Sequence, residues 1–215
     1  MDFTTMLLQL STGMLESVKI FFFTLIFSLP LGLLICFGRM SKNSLIRNIV
    51  KVYISIMRGT PLMLQLLVVY FGPYYLWGAN IGGKRFLAII IGFSINYAAY
   101  YAEIYRSGIE SMPVGQYEAA RLLGYNKIQT FGRIILPQVI KRILPSVTNE
   151  VITLVKDTSL AFALAHMELF SMAKQISAAQ TTFMPFVIAG VFYYVFNFVV
   201  AILMEKAEKK AAYYR

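Results

Sequence analysis

Two carboxylates seven residues apart mark the first place where this chain can do chemistry. Glu150, Thr153 and Asp157 fall at i, i+3 and i+7, which on a helix is one face. Two acidic groups on one face can hold an ammonium group, whether an α-ammonium or a basic side chain. Lys156 stands off that stripe, nearer Asn149 and Thr153. A second polar stripe is Asn96, Tyr100 and Glu103, with Tyr97 and Tyr101 beside it. Tyrosine rings offer their faces to cations and their hydroxyls to hydrogen bonds. Arg58 precedes Gly59-Thr60-Pro61, a helix break that frees backbone groups. All these residues lie in apolar stretches, where a charge costs roughly 2.5–3.5 kcal/mol even on the most lenient insertion scale. Such groups have to face a cavity, one another or another subunit, and freed backbone groups have to line a cavity or be buried in protein. The candidate lining of a mid-membrane cavity is therefore Glu150 and Asp157, then Arg58 and Lys156, with Thr60, Asn96, Tyr100 and Tyr101. The structural alternative gives Arg58 an acidic partner and leaves Glu103 with Arg106 to mark the membrane edge.

Covalent chemistry has little to work with. The single cysteine, Cys36, sits in an apolar run and reads as a packed small hydrophobe. His166 is the only histidine, and alone it makes neither a metal site nor a triad. No H-E-x-x-H or G-x-S-x-G pattern is present. Gly78, Gly83 and Lys84 fall short of a phosphate-binding loop, because Arg85 occupies the position of the magnesium-binding Ser or Thr. An intramembrane enzyme would rest on the Glu150 and Asp157 pair alone.

The elements that must position these residues are membrane helices. Hydrophobic residues make up 58% of the chain and charged residues 14%, against about 25% charged in a soluble domain, and mean hydropathy is +0.65. Five segments have the length and apolarity of spans, roughly 13–38, 49–76, 85–106, 143–165 and 184–205. They are too long for strands and show no period-two alternation. The first basic residue is Lys19, so no secretory signal is evident and the first segment is expected to remain. With no internal repeat and no low-complexity linker, residues 1–215 read as one all-α membrane domain.

Fourteen basic residues fall on one face: Arg39, Lys42, Arg47 and Lys51 in the first linker, Arg106 to Arg142 in the long insert, and Lys206, Lys209, Lys210 and Arg215 in the tail. The other face has Lys84, Arg85 and Lys174. The positive-inside rule then puts the N-terminus outside and the C-terminus inside, with Tyr213 and Tyr214 anchoring the tail at the inner surface. The formal charge of +10 is thus a topology signal. Nucleic-acid binding would need a basic soluble domain.

The insert at 111–137 is polar and amphipathic. Ser111 and Pro113 suit a helix start, Gln116 to Leu123 gives two turns, and Gly124 can end them in the left-handed region. Lys127 to Leu136 reads as a second short helix broken by Pro137. Ala119 and Ala120 leave room for close approach, and Glu118 and Arg121 can pair or meet partner charges. The alternative is a helix lying on the bilayer surface.

Glu118-Ala119-Ala120, Gly124 and Ile134-x-Leu136-Pro137 resemble the loop E-A-A-x3-G-x9-I-x-L-P of ABC importer permeases, with every fixed position met. Three further runs resemble the polar amino acid branch of that family, the His/Glu/Gln/Arg/opine group. They are Arg58-Gly59-Thr60-Pro61-Leu62 with Gln65, Tyr101-Ala102-Glu103-Ile104 with Arg106, Gly108 and Ile109, and Asn149-Glu150 with Leu154 to Leu160. The resemblance spans most of the chain. It implies a permease subunit in a prokaryotic cell membrane, surrounded by lipid, whose cytoplasmic loop (Glu118, Ala119, Ala120, Arg121, Gly124) docks on an ATPase and couples it to transport by alternating access. It implies a second permease subunit (a copy or a paralogue), two ATP-binding subunits and an extracytoplasmic binding protein. This chain would carry no cofactor, ATP and magnesium being used by the partner ATPase. Two carboxylates on one face favour a polar or basic amino acid. The alternative within transport is another small solute.

Overall fold

The computed structural model describes residues 2–80 and 82–211, and Tyr213, Tyr214 and Arg215 lie outside them. The described residues contain helices and no strand. The first helix, α1 (Phe3–Arg39), starts ten residues before the expected Gly13. Its extra turns are held by burial: Met6 and Leu10 pack against Leu169, Ala173 and Ile176 of α8 (Leu169–Gln180). Sequence reading missed α8 altogether. Its N-terminus is capped by Glu168, fully buried, which accepts from the backbone N–H groups of Phe170 and Ser171 at 2.7 Å each.

The second apolar segment is two helices, α2 (Ser44–Gly59) and α3 (Leu62–Trp77), meeting at 113°. Pro61 has no N–H to continue α2, and Thr60 is extended (φ −123°, ψ 149°). The most buried helix is α4 (Arg85–Glu110), which packs along α1. Gly32 allows the close approach: a Cβ there would lie 2.8 Å from Cβ of Tyr101 and 3.2 Å from the carbonyl of Ala98. Small residues serve this purpose in membranes, where lipid supplies no hydrophobic drive between helices.

After α4 come α5 (Val114–Leu122) and the three-residue α6 (Lys127–Gln129). Two local expectations fail here. Ser111 does not cap α5; it ends α4, its hydroxyl donating to the Gly108 carbonyl at 2.7 Å. Pro137 does not break the chain: helix continues from Lys127 through a π-helical turn, Thr130–Ile135, into α7 (Leu136–Asp157). In that turn the Leu136 N–H reaches back five residues to Phe131. The wider turn leads straight into the first residues of α7, the place where a residue lacking an N–H is tolerated.

The fourth expected segment changes character at its C-terminal end. Beyond Asp157 it tightens into a 3-10 helix, Thr158–Leu164. The hydroxyls of Thr158 and Ser159 donate to the carbonyls of Val155 and Lys156, which serves the last carbonyls of α7 locally. The last helix, α9 (Met184–Ala211), packs against α7. Thr148 donates to Glu208 between them. The main core unites Ile20, Phe21, Leu66, Phe93, Tyr97 and Leu154 from α1, α3, α4 and α7. Three helices, α1, α4 and α9, are long and apolar enough to cross a membrane, and α2 with α3 makes a fourth if the bent pair is one span.

Candidate functional site

The site begins at the break between α2 and α3. Breaking a helix orphans carbonyls, and in a membrane they need partners. Two buried amides supply them. Gln65 Nε2 donates to the carbonyls of Met57 (3.0 Å) and Thr60 (3.1 Å) and to the Thr60 hydroxyl (2.8 Å). Asn96 Nδ2, from α4, donates to the same Met57 carbonyl (3.0 Å) and to Gln65 Oε1 (2.9 Å). Thr60 Oγ1 donates back to Ile56 at 2.8 Å. Thr60 and Asn96 are thus committed to the break itself.

Arg58 projects from the last turn of α2 over the Tyr100 ring, its guanidinium carbon 5.3 Å from the ring centre. A cation over an aromatic face is attracted by the ring quadrupole. No ion pair engages Arg58 among the described residues. Glu103 instead joins Arg106 (2.6 Å) and Arg39 (3.7 Å), and Arg106 also meets Glu110, making a network at one end of α1 and α4.

From α7, Glu150 and Asp157 are half-buried and lie seven residues apart on one face of the helix. Asp157 Oδ2 accepts from the Tyr97 hydroxyl of α4 at 2.7 Å. Lys156 is exposed, its charge also felt by Asp157. A chain of contacts therefore runs from α2 through α4 to α7: Arg58 over Tyr100, the Tyr100 ring 6.3 Å from that of Tyr97, and Tyr97 on Asp157, with Glu150 two turns back along α7 on the face of Asp157. Tyr101 stands apart, fully buried beneath Gly32 of α1. Reasoning from sequence undervalued Gln65 and Tyr97. Gln65 had the signal of an amide one turn past a Gly-Thr-Pro break; Tyr97 was visible only as a neighbour of the α4 stripe, since its partner lies 60 residues away. An apolar groove of about 480 Å³ between α1, α4 and α7, lined by Leu33, Phe37, Ile109, Phe131, Ile140 and Leu144, holds none of these candidates.

A second surface lies at the insert. Helix α5 ends in a Schellman turn: Gly124 has φ +77°, its N–H bonds to Arg121, and the Tyr125 N–H bonds to Ala120, both at 3.0 Å. Asn126 and Gln129 cap the next helix reciprocally. Ala120 is buried, and Met112, Ile135 and Val139 form a small core packed by Tyr117 of α5. Arg142 Nη1 donates to the Ser111 carbonyl at 2.6 Å, a further tie between the insert and α7. Glu118, Ala119 and Arg121 are exposed, with no ion pair joining Glu118 and Arg121. Leu122 and Ile128 are 90% and 85% exposed. Exposed leucine and isoleucine beside a rigid turn suit a partner-covered face.

Residues 28–213 match the family described as binding-protein-dependent transport system inner membrane component. The chain is 36% identical over 209 residues to a glutamine transport system permease protein, provisionally so named, of Rickettsia bellii, covering 97% of this chain and 95% of that one. It is 40% identical over 185 residues to the probable amino-acid ABC transporter permease protein YckA of Bacillus subtilis, covering 86% and 80%. Among solved structures, a crystal structure of an amino acid ABC transporter with histidines superposes with a TM-score of 0.87 at 32% identity, covering 98% and 99%. An inward-facing MetNI methionine ABC transporter superposes at 0.78 with 20% identity, covering 99% and 100%, a likeness of fold.

Proposed function

We infer, from the premise that this chain belongs to the inner-membrane components of binding-protein-dependent transport systems, that it is the permease subunit of an ATP-driven amino acid importer. It works as a pair of permease subunits, with two ATPases below and a binding protein above. The observation that carries the substrate reading is the chain of contacts from Arg58 through Tyr100 and Tyr97 to Asp157, beside a broken span and on the face of α7 that also bears Glu150. Broken helices at membrane depth recur at transporter binding sites. An amino acid offers such a surface an ammonium for Glu150 and Asp157 and a carboxylate for Arg58. The cargo is a polar or basic amino acid.

Five spans cross the bilayer in this reading: α1, the bent α2 and α3, α4, α7 with its 3-10 end, and α9. The span containing α7 is too polar to pass on composition alone, because it carries Glu150, Lys156 and Asp157. It is covered by α4, α9 and the second permease. Basic residues place the N-terminus outside and the insert inside, within reach of an ATPase. ATP binding in the ATPases draws the two α5 helices together, and the continuous path from α5 through the π turn into α7 carries that motion to Glu150 and Asp157. The surface then opens inward. ATP and magnesium act in the partner; this chain binds, gates and couples.

Reconstitution with the ATPase and binding protein in proteoliposomes tests the reading. Uptake of labelled L-glutamine, L-arginine, L-histidine and L-cystine is measured against a sugar control. ATP-dependent uptake of at least one amino acid is expected; uptake of the sugar and of no amino acid would overturn it.

A further inference from the structure

The break between α2 and α3 is held by two buried amides, one from each side of a helix interface, whose N–H donors are all engaged. Gln65 is 8% exposed and Asn96 4% exposed. Both Nδ2 protons of Asn96 are used, on Met57 O and Gln65 Oε1. Both Nε2 protons of Gln65 are shared among Met57 O, Thr60 O and Thr60 Oγ1. A primary amide has two donors and one acceptor oxygen, so neither has a donor left for a substrate. Apart from Gln65 Oε1, which accepts from Asn96, their acceptors are the Met57 and Thr60 carbonyls and the Thr60 hydroxyl, at the end of α2 and its extended exit. Those carbonyls flank Arg58, whose side chain rests on the Tyr100 ring and makes no ion pair among the described residues. Asn96 and Tyr100 are one turn apart on α4. The same helix that locks the break therefore presents the ring under Arg58.

We propose that Gln65 and Asn96 form a positioning clamp that fixes the α2–α3 break against α4 and thereby places Arg58 over Tyr100, without touching the transported molecule. The clamp rests on the permease reading only for its effect on transport; its effect on the break stands without it. Gln65 → Met keeps length and apolar packing and removes every amide bond. Gln65 → Glu keeps an oxygen and removes the donors to Met57 and Thr60.

The test uses the permease with its ATPase in lipid nanodiscs and reads backbone amide exchange over residues 54–66. Both variants are expected to raise exchange there at least about tenfold, the change that follows loss of one buried hydrogen bond, while exchange in α9 is unchanged. In proteoliposomes the substrate concentration at half-maximal uptake of L-glutamine or L-arginine rises by a similar factor, and maximal uptake falls less. A residue that merely packs would leave Gln65 → Met like the parent in both measurements, and wild-type exchange in that variant overturns the clamp. Where Gln65 → Met does not insert stably, Asn96 → Ala, which loses two donors and little volume, takes its place under the same criterion. If the parent protein transports neither amino acid, the substrate reading fails while the exchange result still decides the clamp.

Discussion

Gly124 offers a perturbation whose size can be worked out before it is made. Its φ is +77° and a Cβ would meet no atom within 4 Å, so replacing it strains the backbone without a clash. The left-handed region costs an L-residue roughly 1–2 kcal/mol, less for asparagine and more for a β-branched residue. At stake are the two bonds of the turn, Gly124 N–H to Arg121 and Tyr125 N–H to Ala120. A cost of ~1–2 kcal/mol lowers the population of the turn by roughly 5- to 30-fold relative to its open forms. We predict the order of coupling Gly124 → Asn, then Gly124 → Ala, then Gly124 → Val, from near wild type to severely impaired. The assay is the ratio of amino acid transported to ATP hydrolysed in proteoliposomes, with pull-down of the ATPase beside it. Insertion is expected to be normal in all three, since the turn lies outside the proposed spans. Tight coupling and full ATPase recovery with Gly124 → Val would refute the reasoning.

Three other outcomes are expected. Reporter fusions at Ser41, Gln129 and Tyr214 should read cytoplasmic and those at Gly78 and Gln175 external; a cytoplasmic signal at Gly78 would contradict the five-span topology. Gly108 → Leu should lower thermal stability by roughly 1–3 kcal/mol through overpacking, because a Cβ there would lie 2.2 Å from Cγ2 of Ile143; an unchanged melting midpoint would mean α4 and α7 do not approach this closely. Tyr97 → Phe removes the donor to Asp157 and should cost roughly 1.5–3 kcal/mol, as for a hydrogen bond to a charged group; equal stability and equal uptake would show that this bond contributes nothing.

The sequence made the apolar segments legible because burial in lipid writes long hydrophobic runs, and it made Gly124 legible because left-handed backbone favours glycine. The 113° bend was foreshadowed by Pro61, but the amides that hold it were not, because Asn96 lies 31 residues from Gln65. Helix α8 was missed although Leu169, Ala173 and Ile176 repeat at i, i+4 and i+7; its Glu168 cap is not one of the usual N-cap residues, and its twelve residues are too short for a span. Pro137 misled because a proline is read as a stop, whereas here a π turn precedes it. The stripe of Glu150 and Asp157 was visible from periodicity alone, while their companions on α2 and α4 depended on how three helices pack.

In the proposed mechanism the Glu150 and Asp157 stripe of α7 meets the transported amino acid. A buried or half-buried carboxylate can also be structural, and removing one partner of a buried pair is costly in itself. Substrate-stimulated ATPase activity of the reconstituted complex should therefore be measured for Glu150 → Gln and Asp157 → Asn, with a thermal midpoint recorded for each. At least one variant with near-parental stability is expected to respond to L-glutamine, L-arginine or L-histidine only at concentrations roughly tenfold or more higher, a loss of about 1.4 kcal/mol. Parental stability together with an unchanged response to every amino acid in both variants would contradict it.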